Sequence, residues 1–186
     1  MNPSAMIVEV VPYDPAWPAH FERERDALFE ALPAVIEAVH HIGSTSVEGL
    51  AAKPIIDMLM EVRSLRELDA AAESLAALGY EALGEYGIAG RRYFRKGGMR
   101  RTHQIHAFAT GDENILRHLA FRDYLISNPD VRVRYAELKI GLAASCNNDI
   151  DAYCAGKDAF VKHHEQRALA LRAAEQRAKR RDNARD

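Results

Sequence analysis

The run Ile55-Ile56-Asp57-Met58-Leu59-Met60-Glu61-Val62 constrains this chain more than any other stretch. It is far shorter than the ~18–20 apolar residues that cross a membrane. As a strand it is apolar on both faces, which predicts a central place in a sheet covered on each side. Asp57 interrupts the pattern. A carboxylate in a buried strand is costly unless it is paired or bound to a metal, so Asp57 is the first candidate for chemistry. Strand periodicity sets Asp57, Leu59 and Glu61 on one face. At ~3.3 Å per residue Glu61 lies about 13 Å from Asp57, too far to share one metal ion.

Ahead of this run stands His41-Ile42-Gly43-Ser44-Thr45-Ser46-Val47. A turn of small residues leading to a strand with an acid is how many phosphoryl- and nucleotidyl-transferring sites are built. Gly43 allows close backbone approach, and Ser44, Thr45 and Ser46 supply three hydroxyls that can cradle a phosphate. Read structurally, the same residues make an N-cap and a tight turn. The stretch is not a Walker loop, because no Gly-Lys-Thr/Ser follows at the required spacing. A two-magnesium design also wants a second carboxylate two positions beyond Asp57, and Leu59 stands there.

A second unusual strand is Arg101-Thr102-His103-Gln104-Ile105-His106-Ala107-Phe108. His103 and His106 differ by an odd number and so point to opposite faces, and one of them can join Asp57. His106 shares its face with Gln104 and Phe108. Either imidazole suits a metal ligand, a general base or a phosphate donor, or is simply a satisfied structural histidine. Asp57 and His106 are the candidate catalytic pair, with Asp57, His103 and His106 the candidate metal ligands. Arg91, on a strand with Tyr93 and Arg95, and Lys53 are candidate phosphate contacts. Tyr135 with Lys139, and Tyr153 with Lys157, are four apart, and each pair occupies one helical face. Lys139, Tyr153 and Lys157 complete the candidate phosphate and nucleotide contacts, against the simpler reading of solvated surface charges.

Regular elements are expected in a definite order. A short strand over 7–11 is followed by a helix to about Leu32, stopped by Pro33. Strands follow over 34–42 and 55–62. A helix from the N-cap Ser64 runs to Leu78, with Gly79 beyond its end. Then come a strand at 80–83 and a hairpin of 91–96 with 102–109. Three helices over roughly 112–127, 129–146 and 148–179 complete the chain. This order predicts one domain over 1–174, with an α/β part at about 7–110 and a helical part at about 111–174. The basic stretch 175–186 reads as a frayed, solvated helix end. Residues 1–6 lack the basic and apolar pattern of a signal peptide. Cys146 and Cys154 read as reduced thiols, and the expected location is the cytoplasm. A net charge of −2 argues against a nucleic-acid binder or an anionic-membrane binder.

Together these stretches resemble the GrpB family, which is placed in the polymerase-beta-like nucleotidyltransferase fold. The resemblance runs from about Val8 to Lys162. It rests on Val11-Pro12-Tyr13-Asp14-Pro15-Ala16-Trp17, the Gly43-Ser44 turn, Ala52-Lys53-Pro54-Ile55-Ile56-Asp57, Arg101-Thr102-His103-Gln104-Ile105-His106, His118-Leu119-Ala120-Phe121-Arg122-Asp123-Tyr124-Leu125, and Ala152-Tyr153 with Gly156-Lys157. Some relatives resemble this chain as an extra domain fused to dephospho-coenzyme A kinase. The resemblance implies an α+β fold, a mixed β-sheet flanked by helices, with the Gly43-Ser44 turn and Asp57 at the mouth of a cleft. It implies a nucleotide or coenzyme-like phosphate ligand and a divalent metal, Mg²⁺ or Mn²⁺ ahead of Zn²⁺. Two functions are open at this point: transfer of a nucleotidyl group to an acceptor, or ligand and partner binding on a degenerate site, which Leu59 favours.

Overall fold

The run around Asp57 forms β2 (Ile56–Val62), an interior strand of a five-stranded sheet. The computed structural model describes residues 7–183, and residues 1–6 and 184–186, including the expected absence of a leader, lie outside it. The sheet is completed by β1 (Ile36–Ile42), β3 (Tyr80–Ala82), β4 (Arg92–Lys96) and β5 (His103–Ala109) in the order β1-β2-β5-β4-β3. β2 pairs antiparallel with β1 and parallel with β5, so the sheet is mixed. The helices are α1 (Trp17–Ala31), α2 (Leu65–Ala70), α3 (Ala72–Ala77), α4 (Glu113–Ser127), α5 (Pro129–Ser145) and α6 (Ile150–Asp182). The fold is α+β, a mixed sheet flanked by helices, as the family resemblance implies.

The two faces of β2 serve different cores. Ile56, Met58, Met60 and Val62 face α1, α2 and α3, where they pack with Trp17, Phe21, Leu28, Leu68 and Leu75. On the other face Leu59 packs with Ile42, Phe108 and Ile115 beneath α4. A third cluster joins Val47 and Leu50, just after the Gly-Ser turn, to Tyr124, Leu125, Val131 and Tyr135 of the helical part. The sheet end that carries Asp57 is therefore roofed by helices rather than filled by them. Leu28 is fully buried in the first cluster. Leu28→Ala is expected to cost about 3 kcal/mol and lower Tm by about 10 °C, read from denaturant and thermal melts.

Two expected elements differ. Residues 7–11 do not form a strand: Val11 makes an isolated bridge, exchanging both backbone hydrogen bonds with Ala52 at 2.9 Å. Pro12 on one side and Pro54 near the other lack the N–H donors that would extend it. The helix expected over 64–78 is broken at Ala71, whose N–H reaches the carbonyls of both Glu67 and Leu68. Its start is as expected, with Ser64 Oγ accepting from the Glu67 N–H, and Gly79 follows at φ 87°. Among the described residues no helix is long and apolar enough to cross a membrane.

Candidate functional site

Gly43 is the hinge of the site. It sits at φ 70° and ψ −171°, a region essentially confined to glycine. A Cβ there would lie 2.6 Å from Asp57 Oδ2, so the turn and the carboxylate touch because residue 43 has no side chain. Ser44–Ser46 form one 3₁₀ turn. Thr45 is buried, donates to the Ile55 carbonyl at 3.4 Å, and accepts from His41 Nε2 at 3.0 Å. The Ser46 hydroxyl donates to the Gly43 carbonyl at 2.6 Å. Those two hydroxyls hold the turn together. The Ser44 hydroxyl faces the cleft, where Lys139 Nζ donates to it at 2.7 Å.

The helical wall supplies the positive charge. Lys139 on α5 is 2% exposed, and its Nζ also bonds the Ala51 carbonyl and lies 4.5 Å from the Tyr135 ring centroid. Burial, then the neighbouring Lys157, push its pKa down to about 7, with Asp57 pulling the other way. Lys53 and Lys157 place their amines 5.1 and 5.2 Å from the Tyr153 ring centroid. Burial and Lys157 also lower the Lys53 pKa. α6 comes this close to α5 because Gly156 faces Leu142, where a Cβ would collide with the Leu142 methyls.

The sheet floor is ordered by a relay of side chains. Register pairs Asp57 with Gln104 and Leu59 with His106 across β2 and β5, so all four share the cleft face. Oriented by its partners, the Gln104 amide donates to Asp57 Oδ1 at 3.0 Å and Tyr93 Oη at 3.1 Å, and its oxygen accepts from Arg101 Nη1 at 3.0 Å. Arg91 Nη1 donates to His106 Nδ1 at 3.3 Å. Guanidinium nitrogens cannot accept, so the proton of neutral His106 is on Nε2, 3.9 Å from Asp57 Oδ1. Arg91 also bonds the Glu85 and Tyr86 carbonyls. It is buried and shapes the loop before β4 rather than lining the cleft. Tyr86, at φ 45°, stacks on Tyr93 with centroids 5.1 Å apart and planes 17° apart.

These side chains enclose two lobes that meet at Ser44, Asp57, Gln104, Cys154 and Lys157, one of about 290 Å³ toward Lys53 and Tyr86, the other about 330 Å³ toward His106 and Arg117. Of the residues singled out in the sequence, Gly43, Ser44, Lys53, Asp57, His106, Lys139, Tyr153 and Lys157 come together here. Thr45 touches the first lobe while bracing the turn, and Ser46 and Arg91 support the site from behind. His103 lies on the opposite face of the sheet, its Nε2 3.9 Å from Glu24 Oε2. The sequence reading missed Tyr86, Tyr93, Gln104 and Arg101 as site residues. Period two sets Gln104 on the face of His106 and Tyr93 between Arg91 and Arg95, a signal that could have found both. Nothing local flagged Tyr86.

The donor set does not fit the two-metal centre that the fold resemblance implies. Asp57 stands alone, because Leu59 is a core residue under α4. His106 presents a protonated Nε2 toward Asp57, not a lone pair. His103 is across the sheet. Among the described residues no three His, Cys, Asp or Glu side chains gather to hold a metal ion.

A mixed sheet whose open end carries a glycine-serine turn, a single carboxylate and a wall of lysines defines an α+β domain with a basic cleft. The chain belongs to the GrpB family: the family model described as GrpB protein matches residues 7–167. The UPF0157 protein YqkA of Bacillus subtilis is 47% identical over 161 residues, 87% of this chain and 47% of that protein. A Mycolicibacterium paratuberculosis protein named dephospho-CoA kinase is 30% identical over 186 residues, 87% of this chain and 46% of that protein. The chain thus spans about half the length of each of these two relatives. The crystal structure of the conserved protein GrpB from Enterococcus faecalis aligns with TM-score 0.84 and 46% identity, over 88% of this chain and 98% of that one. The Cid1 poly(U) polymerase is also a structural neighbour, with TM-score 0.47 and 15% identity, over 70% of this chain and 42% of that one. A likeness of that size carries nothing about what this chain binds or does.

Proposed function

We propose that the cleft binds a phosphorylated small molecule of the nucleotide or coenzyme kind, and that lysine and arginine, rather than a divalent cation, meet the phosphate charge. The observation that supports this most is the convergence of Lys53, Lys157 and Arg101 on a cleft whose central carboxylate, Asp57, is already paired with Gln104. Arg101 Nε is buried without a hydrogen-bond partner among the described residues, a donor that a phosphate oxygen would satisfy. The stacked Tyr86–Tyr93 pair offers an aromatic face to a base. The dephospho-CoA kinase name of one relative supports including coenzyme A among the ligands tried. Two free cysteines support a reducing compartment, the cytoplasm.

Transfer of a nucleotidyl group is the longer reach of this reading. Binding without metal-assisted transfer is favoured by one observation, the burial of Leu59 where a second metal carboxylate would stand. The test is a thermal-stability panel of nucleoside triphosphates, coenzyme A and its precursors, each in EDTA, Mg²⁺ or Mn²⁺. A ligand at 100 times its Kd is expected to add about 2.7 kcal/mol, with the shift retained in EDTA. A shift that appears only with metal would overturn the metal-free reading. No shift with any phosphorylated ligand would overturn the ligand class.

A further inference from the structure

Ser44 and Lys139 are 95 positions apart in sequence, yet their side chains meet at 2.7 Å in the cleft. The surroundings of Lys139 are not those of a salt-bridge lysine. Its hydrogen-bond partners are a hydroxyl and the Ala51 carbonyl, neither of which carries charge. The Ala51 carbonyl can only accept, so it fixes one N–H of the amine. A neutral amine then has its lone pair free for the Ser44 hydroxyl proton. The charged groups around Lys139 are Lys157 of α6, which disfavours its protonated form, and Asp57 of β2, which favours it. Burial exceeds both and brings the amine to about 7, near the value a general base needs.

We propose that Ser44 and Lys139 form a nucleophile–base pair that takes a phosphoryl or nucleotidyl group from a phosphoanhydride held in the cleft, leaving a covalent phosphoester on Ser44. The proposal rests on the phosphate-ligand reading above. Ser44 Oγ forms the new bond to phosphorus. The bridging P–O bond of the anhydride breaks, and its electron pair leaves with the nucleoside diphosphate in phosphoryl transfer or with pyrophosphate in nucleotidyl transfer. The serine proton passes to Lys139 Nζ, which hands it to the leaving group or to water. Lys157, which lines both lobes with Ser44, and Lys53 stand where they can neutralise charge on the departing phosphate.

The test incubates the full chain with ATP labelled at either the α or the γ phosphorus, in EDTA and in Mg²⁺. Intact mass and peptide mapping then locate the label, and the thermal shift with the same ATP is read alongside. The expected result is label on Ser44, with the α and γ arms telling nucleotidyl from phosphoryl transfer. Its rate should rise as Lys139 loses its proton, between about pH 6 and 8. Ser44→Ala removes the label. Lys139→Arg, which keeps the charge but cannot give up its proton, slows labelling at least about 100-fold. A thermal shift without label on Ser44, or label on another residue, overturns the pair and leaves the ligand reading standing. Neither shift nor label overturns both.

Discussion

Lowering the pH from 7 to about 4 is expected to remove several kcal/mol of stability through buried histidines alone. His41 and His118 carry this effect. Burial, the larger cause for both, lowers each from 6.5 to about 4. For His41 the Asp57 charge opposes the shift and Arg122 adds to it, and for His118 the neighbouring His106 adds to it. Both are neutral in the folded protein. His41 stacks on Phe21 with centroids 4.8 Å apart and hydrogen-bonds Thr45. His118 Nδ1 bonds the Asn114 carbonyl at 2.7 Å. In the unfolded chain each takes up a proton near pH 6.5. Below that pH the unfolded state binds more protons than the folded one, so stability falls until the folded pKa near 4 is reached. Each histidine is worth about 3 kcal/mol over that interval. Urea midpoints at steps between pH 7 and 4 should fall steadily. A flat profile from pH 7 to 5 would contradict the burial of these two rings.

The second large effect is expected at Gly43. Gly43→Ala puts a methyl 2.6 Å from Asp57 Oδ2 and forces a side chain into a backbone region that strains it by about 1–3 kcal/mol. Relief requires Asp57 to move, which breaks its bond with Gln104 and shifts the turn that presents Ser44. The expected outcome is a stability loss of about 2 kcal/mol with at least about tenfold weaker ligand binding. Gly49→Ala is the control: its φ is 76°, but nothing lies within 4 Å of the added Cβ. The control should lose stability through strain while keeping the cleft. Equal effects of the two substitutions on ligand binding would show that the Gly43–Asp57 contact does not shape the site.

Several site residues were legible because strand periodicity is strict. The apolar run marked β2 as interior, and Asp57 within it as the odd residue. Parity alone said that one of His103 and His106 faces Asp57. The choice needed the β2–β5 register, which pairs Asp57 with Gln104 and sends His103 to the α1 side beside Glu24. Helical spacing joined Tyr135 to Lys139, but the depth of Lys139 depends on the Ala51 carbonyl 88 positions away, which no local pattern carries. Arg91 looked like a phosphate contact because its role, capturing the Glu85 and Tyr86 carbonyls, depends on the path of a glycine-rich loop. Leu59 was visible as a missing carboxylate. Its reason is packing with Phe108 and Ile115 beneath α4.

The most direct test of cation-borne ligand binding is a calorimetric titration with a nucleoside triphosphate in EDTA, comparing the natural chain with a Lys53→Met, Lys157→Met double variant. Two lost charge-assisted contacts at about 1.5–3 kcal/mol each predict at least about a hundredfold weaker binding in the variant. The natural chain should bind in EDTA, with an affinity that falls as salt is raised. Binding that appears only on adding Mg²⁺, and that the two lysine substitutions leave unchanged, would contradict the account.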